Sequence, residues 1–311
     1  CFDLTGDGWI DIYVANDMKP NQLWVNQRDG SFADEALARG LALNGAGKAE
    51  AGMGVALGDT DGNGSLDLFI THLVDQTHTL YASVETNDGV TYRDRSASSG
   101  IGAGTLAMTG WGCGFLDLEN DGDLDLAIVH GRVARGPVAP AADCGPFWNS
   151  YAEANQLYLN QGGGKYSLEK TRAGTFSSRA EASRGLAFAD IDSDGDTDLV
   201  QSNIGNVLRV FRNEAQRSGN HWLRVRALTG ARDDLGALVT IAAGNRVLRR
   251  PVLSSSSFAC ASEATAHFGL GSSDTIDSLT IRWSDGASES FNAGGVDRLL
   301  VLRRGEGSQG N

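Results

Sequence analysis

One five-position pattern, repeated four times, constrains this chain more than any other feature. Each copy places an oxygen-bearing side chain at positions one, three, five and nine of a short stretch, with glycine at position six. The departures from Asp are Thr5, Asn63 and Glu119, and all three keep a side-chain oxygen. The four copies consist of Asp3, Thr5, Asp7, Gly8 and Asp11; Asp59, Asp61, Asn63, Gly64 and Asp67; Asp117, Glu119, Asp121, Gly122 and Asp125; and Asp190, Asp192, Asp194, Gly195 and Asp198.

Oxygen donors at this spacing are the ligands of a calcium site. Ca²⁺ takes about six to eight oxygen ligands and tolerates irregular geometry, whereas carboxylates this close together would repel one another without a cation. Asp and Gly are also ordinary turn formers, but simple turns do not require the same template four times. We therefore predict about four Ca²⁺ ions, one in each loop. The backbone carbonyl of position seven is expected to complete each set, and that position is Trp9, Ser65, Asp123 or Asp196.

The sequences around the loops exclude EF-hands. An EF-hand carries a bidentate glutamate at position twelve between two helices, whereas position twelve here is Val14, Ile70, Ile128 or Gln201. Short apolar, partly β-branched runs stand before and after the loops, for example residues 54–57 and 66–70. Such runs are typical of strands, so the unit is predicted to be strand, calcium loop, strand.

Further motifs repeat after the loops. Asn-Gln-Leu-Trp-Val-Asn at 21–26 recurs as Asn-Gln-Leu-Tyr-Leu-Asn at 155–160, and Gly-Ser-Phe at 30–32 has looser counterparts later in the chain. The loops begin at residues 3, 59, 117 and 190, and recurrence on this scale indicates a repeat architecture. Each unit reads as four short antiparallel strands, which in series form the blades of a β-propeller. The predicted fold class is therefore all-β, with a complete or partial propeller.

These motifs resemble the FG-GAP/VCBS repeats of integrin-like propellers. Segments at 219–226, 235–241, 267–271 and 281–286 resemble the ASPIC/UnbV domain, which follows such repeats in the cartilage acidic protein family and its bacterial relatives. The resemblance covers nearly the whole chain. It implies loop side chains that bind Ca²⁺, in proteins that are largely secreted or surface-exposed. Integrin-like propellers usually have seven blades, so it also implies further blades, upstream or from another chain; a closed four-bladed ring is the alternative.

The chain is predicted to divide into three segments. Residues 1–218 form the propeller blades, residues 219–304 a small β-sandwich-like domain of the ASPIC/UnbV type, and residues 305–311 a disordered tail. An insertion at 131–154 lengthens the third unit, and it either carries function or packs over the propeller. Within 219–304, Arg249 and Arg250 are expected to be solvated. Residues 254–260 depart from the related domains, and their role is open.

Charge and composition narrow the classes of partner. The net charge is −13, of which residues 1–218 carry −14 and residues 219–311 carry +1. Nucleic acid is not expected as a partner because binding it requires a basic surface. No run approaches the roughly 20 apolar residues of a membrane helix, so no transmembrane segment is predicted. The four cysteines show no zinc-site spacing, and a disulfide between two of them stays open.

A second set of candidate residues follows the calcium loops. Counting five residues on from the last ligand of each loop gives Asn16, His72, His130 and Asn203. They stand at the ends of the second strands, so we expect them on the face opposite the loops. They either cap strand ends by hydrogen bonding or form a polar rim that binds a ligand or metal. No motif for a catalytic nucleophile, a phosphate loop or an organic cofactor appears.

The favoured function is a calcium-binding, extracellular, cell-surface or periplasmic propeller that acts as a binding or adhesion module. Its partner is expected to be a protein or glycan on the propeller face, or further blades and subunits. One alternative is an enzyme with an integrin-like fold, a cyclase or isomerase, with its site on the face of His72 and His130. A third hypothesis is a structural subunit of a surface filament or complex.

Overall fold

The computed structural model describes residues 1–215 and 219–309. Its first part consists of four antiparallel blades that follow one another along the chain. The strands of the first two blades are β1 (Ile12–Val14), β2 (Gln22–Asn26) and β3 (Phe32–Asp34), then β4 (Val55–Gly58), β5 (Asp67–Ile70), β6 (Thr79–Thr86) and β7 (Gly89–Asp94).

Two short helices, α1 (Ser96–Ser99) and α2 (Gly102–Thr105), lead into the third blade. It begins with β8 (Gly110–Leu116) and β9 (Asp125–His130) and, after the insertion, ends with two further strands. The insertion holds α3 (Gly145–Trp148), a 3₁₀ turn at Asn149–Tyr151 and β10 (Glu153–Ala154). The remaining elements are β11 (Gln156–Asn160), β12 (Tyr166–Leu168), α4 (Gly174–Ser178), β13 (Ala180–Glu181), and, in blade 4, β14 (Ser183–Ala189), β15 (Asp198–Asn203) and β16 (Arg209–Phe211).

The blades stack through their apolar faces, as a propeller requires. One core cluster joins blades 1 and 2, a second joins blades 2 and 3, and a third joins blades 3 and 4. Side chains alternate between the two faces of each strand. In β5, for example, Leu68 and Ile70 pack towards blade 1, whereas Phe69 packs towards blade 3. The prediction of an all-β partial propeller is confirmed.

The ring is open, and its two end blades are incomplete among the described residues. Blades 2 and 3 have four strands each, but blades 1 and 4 have three. In blade 1, only an isolated bridge between Phe2 and Asp11 stands where a first strand would lie. The expectation of four strands in every unit therefore fails at both ends of the described series.

The C-terminal domain is a sandwich of two sheets. Its strands are β17 (His221–Thr229), β18 (Arg232–Asp233), β19 (Leu238–Ala243), β20 (Arg246–Pro251), β21 (Ala266–Gly271), β22 (Ser278–Arg282), β23 (Ser288–Phe291), β24 (Arg298–Arg303) and β25 (Ser308–Gln309). In the first sheet β17 pairs with β18 and β21 and, in parallel, with β24; the second sheet has the order β20-β19-β22-β23-β25. Leu223, Phe268, Ile281 and Trp283 lie in the separate core of this domain.

The predicted disordered tail at 305–311 is wrong for residues 305–309. β25 pairs with β23 through Ser308 and Ser290. The backbone N–H groups of Gly305 and Gly307 also donate to the carboxylate of Glu289. A glycine-rich composition suggested disorder, but an open sheet edge and a carboxylate acceptor hold this segment. Residues 310 and 311 lie outside the described residues.

Candidate functional site

The four acidic loops share one hydrogen-bonded geometry. In each loop the position-one carboxylate accepts two backbone N–H groups of its own loop, one of them from the glycine at position six. In the first loop, Asp3 Oδ1 accepts from Asp7 N at 3.0 Å and Asp3 Oδ2 from Gly8 N at 2.9 Å. The position-six glycines have φ between +91° and +94°, where a side chain would be strained. The loop backbone therefore wraps around its first carboxylate.

Each position-nine carboxylate ties its loop to the next strand of the blade, at β2, β6 and β11 or just after β16. Asp11 accepts from Asn26 N at 3.0 Å, Asp125 from Asn160 N at 2.8 Å and Asp198 from Asn213 N at 2.8 Å. Asp67 accepts from Ser83 N at 2.8 Å. Each of these carboxylates also accepts N–H groups from within its own loop. The last residue of the repeated Asn-Gln-Leu motif, Asn26 or Asn160, therefore donates its backbone N–H to the loop carboxylate. The recurrence of asparagine at these two positions could have indicated this role.

The fourth loop has the most complete cluster of candidate metal ligands. Carboxylate oxygens of Asp190, Asp192 and Asp194 all lie within 4.8 Å of one another. Three acidic oxygens at this separation are the donor chemistry that Ca²⁺ selects, so these residues fit the ion. Asp198 lies outside that cluster, and its role as a ligand stays a prediction.

The other loops show the same position-one and position-nine contacts with different side chains between them. In the first loop, the buried Thr5 Oγ1 has no hydrogen-bond partner among the described residues, which fits an oxygen that would bind a cation. In the second loop, Asn63 Oδ1 accepts from Ser65 N. In the third, Glu119 forms an ion pair with Arg172 outside the loop. The calcium assignments of these three loops stay predictions.

Burial makes the loop carboxylates hard to ionise on their own. Burial raises the pKa of Asp67 to about 6, of Asp117 to about 7 and of Asp125 to about 8. It also raises the pKa values of Asp11 and Asp59. Because a buried carboxylate needs an opposite charge nearby to stay ionised, these loops are suited to hold a cation.

The C-terminal domain lies against the loops and places arginines on them. Arg282 Nη1 donates to Asp3 Oδ2 at 2.6 Å and Arg224 Nη1 to Asp190 Oδ2 at 2.6 Å. Arg246 forms an ion pair with Asp123 at 2.6 Å. Arg250 Nη2 donates to the Gly122 carbonyl at 3.0 Å. The expected solvated face is wrong, because Arg250 is buried and Arg249 half-buried against the loops.

The charge pattern contained a signal for this contact. Residues 219–311 contain ten arginines and no lysine, next to a repeat half that carries −14. Arginine is preferred over lysine for interface ion pairs because its planar fork matches a carboxylate. Of the position-seven side chains, Asp123 meets Arg246 of the C-terminal domain, whereas Asp196 accepts from Asn120 Nδ2 of the third loop at 2.7 Å. Both side chains point out of their own loop.

Residues 254–263 lie between the inner strands of three blades. Ser257 exchanges two backbone hydrogen bonds with Val55 of β4, and its hydroxyl accepts from Cys113 N of β8 at 3.0 Å. Glu263 N donates to the Phe188 carbonyl of β14 at 3.0 Å. The inner strands of a propeller line its centre. The segment whose role was open in the sequence therefore fills the middle of the partial propeller.

All four cysteines are free thiols.

The four residues of the predicted rim stand at the ends of their strands, opposite the loops. The loops come directly before β1, β5, β9 and β15, whereas Asn16, His72, His130 and Asn203 stand at or just after the far ends. Their side chains are engaged locally. Asn16 Nδ2 donates to the Pro20 carbonyl at 2.8 Å and Asn203 Nδ2 to the Val207 carbonyl at 2.9 Å. Both asparagines therefore cap strand ends.

The two histidines of this set are buried in a cluster that the sequence did not indicate. His78 stacks on His130 with ring centroids 5.5 Å apart, and their Nε2 atoms are 3.4 Å apart. His72 Nε2 lies 3.1 Å from Thr79 Oγ1 and 3.5 Å from Glu50 Oε2. Burial lowers the pKa of His72 to about 4 and of His130 to about 3. Neither histidine side chain lies at the surface, and the polar rim that would bind a ligand or metal stays a prediction.

The insertion provides exposed surface at this end of the blades. Arg132 N donates to the Tyr151 carbonyl and Gly131 bridges to Ala152, which fixes residues 131–154 beside the end of β9. Phe147, Trp148 and Tyr151 form an aromatic cluster with centroids 4.9 to 5.7 Å apart. Phe147 is 52% exposed. The insertion thus packs over the propeller and also presents the Phe147 ring to solvent.

Comparisons with known proteins agree with this architecture. Residues 3–70 and 147–201 match the FG-GAP-like repeat family, and residues 228–309 match the ASPIC and UnbV family. Cartilage acidic protein 1 is 28% identical over 94% of this chain in Homo sapiens and 29% identical over 94% in Xenopus tropicalis. The chain spans about two fifths of these relatives, 41% and 42% of their lengths.

One solved structure is similar at a coarser level. It is an Agrocybe aegerita lectin that recognises non-reducing terminal N-acetylglucosamine, with 18% identity, a TM-score of 0.34, and coverage of 70% of this chain and 52% of that chain. A TM-score this low supports no inference about function. No helix among the described residues is long and apolar enough to cross a membrane. The blades, the loops and the sandwich together with these matches show a protein of FG-GAP-like repeats followed by an ASPIC and UnbV domain, related to cartilage acidic protein 1.

Proposed function

We propose that this chain is a calcium-stabilised extracellular binding module whose ligand face lies opposite the loops. The observation that carries the proposal is how the C-terminal domain is placed. It covers the loop side through Arg224 and Arg282 and fills the centre with residues 254–263. The opposite side keeps its exposed surface, including Phe147.

The calcium part rests on donor chemistry. Asp190, Asp192 and Asp194 hold their oxygens together, and burial raises the pKa of Asp117 and Asp125. Oxygen-only sites in extracellular modules bind Ca²⁺ with dissociation constants on the order of 10⁻⁴ to 10⁻³ M, which suits calcium-rich fluid outside the cell. An extracellular location is therefore part of the proposal.

The ligand part rests on the insertion. Exposed aromatic rings backed by a rigid scaffold are typical of protein interfaces and of surfaces that stack on sugars. Arg135 lies 4.9 Å from the centroid of the Phe147 ring, so the patch combines an apolar surface with a cation. A protein or glycan ligand fits this combination. A cavity of about 740 Å³ lies between the first two loops and the C-terminal domain, and the insertion does not line it.

A glycan array probed with the full chain in Ca²⁺ tests this surface. We expect binding to a defined set of glycans that Phe147→Ala and Trp148→Ala both reduce. Phe32→Ala is the matched control, because Phe32 is 40% exposed on blade 1, away from the insertion. Binding that survives both insertion substitutions would contradict the proposed ligand surface. For a protein ligand, a photo-crosslinker at position 147 gives the corresponding test.

A second candidate function, a subunit of a larger assembly, is favoured by the two end blades. Leu68 and Tyr81 of blade 2 are buried against blade 1. Their counterparts in blade 1 are Ile12 and Trp24, which pair in the same register. Ile12, however, is 37% exposed, and Trp24 is only half-buried. At the other end, Val210 of blade 4 is 57% exposed. Blade faces of opposite type thus lie open and fit further blades or subunits.

Sedimentation velocity over a range of concentrations tests the assembly. Faces of opposite type predict head-to-tail association, which Val210→Glu should abolish. Val247→Glu is the control, because Val247 is 53% exposed on the C-terminal domain. A chain that stays monomeric at every concentration speaks against self-assembly and leaves only partners that provide different blades.

A further inference from the structure

The C-terminal domain makes one recurring contact with the calcium loops. In three loops it supplies a donor to Oδ2 of the position-one carboxylate: Arg282 to Asp3, Gly269 N to Asp117 at 3.0 Å, and Arg224 to Asp190. These donors come from three different strands, β22, β21 and β17. In each of the three loops the donor reaches the equivalent oxygen, Oδ2, although the donors come from different strands. The contact is therefore a feature of the whole interface rather than of one strand.

The two oxygens of each of these carboxylates are used differently. In Asp190, Oδ2 accepts Gly195 N at 3.0 Å and Arg224 Nη1 at 2.6 Å, whereas Oδ1 accepts Asp194 N alone at 3.1 Å. Asp3 and Asp117 show the same division. Because each carboxylate oxygen can accept two hydrogen bonds, the outer oxygen Oδ2 is filled and the inner oxygen Oδ1 keeps one lone pair.

Among the described residues, the second loop has no such donor from the C-terminal domain. Asp59 accepts Gly62 N at 2.9 Å and Gly64 N at 3.1 Å, one on each oxygen. Arg250 acts on Asp59 only through its charge, and Arg249 lies beside Gly64. One molecule therefore contains both cases: a directed hydrogen bond in the first, third and fourth loops, and only a nearby charge in the second.

The approach of the C-terminal domain to the third loop is close enough to exclude side chains. A Cβ added to Gly269 would clash with Asp117 Oδ2 and with the backbone of Asn120. In the fourth loop, the Trp222 ring lies where a Cβ of Gly195 would be, and His267 Nε2 is 3.0 Å from the Gly195 carbonyl. Backbone-to-backbone contact of this kind holds the donors in fixed positions.

Charge allows the arginines and the ions to be present together. The four loops hold sixteen carboxylates, and one divalent ion in each would neutralise half of them. The remaining negative charge still attracts a guanidinium on the outer oxygen. An ion on Oδ1 and an arginine on Oδ2 therefore do not compete for the same lone pair.

We propose that Arg224, Arg282 and the Gly269 N–H are positioning groups for Ca²⁺, so that ion binding and docking of the C-terminal domain strengthen each other. The inference rests on the proposed calcium binding. Groups that fix a metal ligand from outside typically change metal affinity about 10–100-fold when they are removed. Linkage requires the reverse as well: ions that bind the docked form better must favour docking by the same factor.

Calcium titration calorimetry on the full chain tests the proposal. In Arg224→Met with Arg282→Met, which keeps an unbranched side chain but no hydrogen-bond donor, we expect two sites to weaken about 10–100-fold while the remaining sites keep their affinity. The lysine variants, Arg224→Lys with Arg282→Lys, should recover part of the affinity because an ammonium still donates. Arg226→Met is the matched control, since Arg226 lies on the same strand and pairs with Asp233 of its own domain.

Hydrogen exchange of the wild-type chain provides a test that needs no substitution. Amides of β20 and β21, which face the loops, should exchange more slowly in Ca²⁺ than in chelator, whereas β25 should not change. Unaltered affinity in the methionine variants, tighter binding in them, or unchanged exchange in β20 and β21 would each overturn the coupling. A wild-type chain that binds no Ca²⁺ overturns the calcium proposal itself, and this inference with it.

Discussion

The guanidinium of Arg224 and the carboxylate of Asp190 meet at 2.6 Å, across the boundary between the sandwich and the fourth blade. Both side chains are nearly inaccessible to solvent, at 8% and 2% exposure. Burying two charges is costly, and removing one partner of such a pair is strongly destabilising. The two domains are therefore joined by polar contacts that neither can satisfy alone.

Removing calcium should destabilise the propeller more than the sandwich. An ion that binds only the folded state adds about 2.7 kcal/mol per site at a hundredfold excess over its dissociation constant. Several such sites rival the roughly 5–15 kcal/mol of an ordinary domain. Differential scanning calorimetry with and without chelator measures this, and an unchanged profile would mean that the loops are ordinary acidic turns.

Asp194→Ala should remove one calcium site and leave the others intact. Asp194 belongs to the three-carboxylate cluster of the fourth loop, so its loss removes a ligand. We expect the stoichiometry in a calcium titration to fall by one site. Asp285→Ala is the control, since Asp285 pairs with Arg304 on the C-terminal domain. Equal stoichiometry in the two variants would place the ion elsewhere.

Asp125→Ala should destabilise the fold even in chelator. Asp125 is 4% exposed and accepts from Leu118 N at 3.0 Å and Asn160 N at 2.8 Å. Two buried N–H groups without an acceptor cost about 1–3 kcal/mol each. Denaturant unfolding of the calcium-free chain measures the loss. Asp121→Ala, at position five of the same loop, should have a much smaller effect in chelator, and equal effects would refute a structural role specific to position nine.

Stability should fall as the pH drops below about 6.5, because of the buried histidines. Burial lowers the pKa of His72 to about 4, of His130 to about 3, and of His78 well below its ordinary value. The unfolded chain therefore binds more protons than the folded chain between pH 6.5 and 4. Each such group lowers the unfolding free energy by about 1.4 kcal/mol per pH unit in that window.

Denaturant unfolding in saturating Ca²⁺, which keeps the loop carboxylates ionised, measures this slope. His130→Asn should reduce this slope by the contribution of one titrating group. His221→Asn is the control, because His221 is partly exposed and pairs with Asp297. A slope that does not change in His130→Asn would show that this histidine is not buried as a neutral side chain.

The repeat and the oxygen-bearing residues of its loops can be identified from the order of amino acids alone. Asp, Gly and oxygen-bearing residues at fixed spacing specify a loop locally, because a carboxylate can bond only to N–H groups within reach, as Asp3 does with Asp7 and Gly8. Apolar and polar residues likewise alternate along β22, and Leu279 and Ile281 of this pattern face the core of the sandwich. Local patterns of this kind depend on neighbours in the chain, so they can be read without a structure.

Contacts between residues that lie far apart in the chain became visible only in the folded structure. Arg282 reaches Asp3, Ser257 pairs with Val55, and His78 stacks on His130. Arg250 is of a residue type that usually lies at the surface, but it is buried at the interface. The tail at Ser308 pairs with an open sheet edge. Such contacts arise from the packing of whole domains, and a one-dimensional pattern records the charge and polarity of each side chain but not the surface that it will meet.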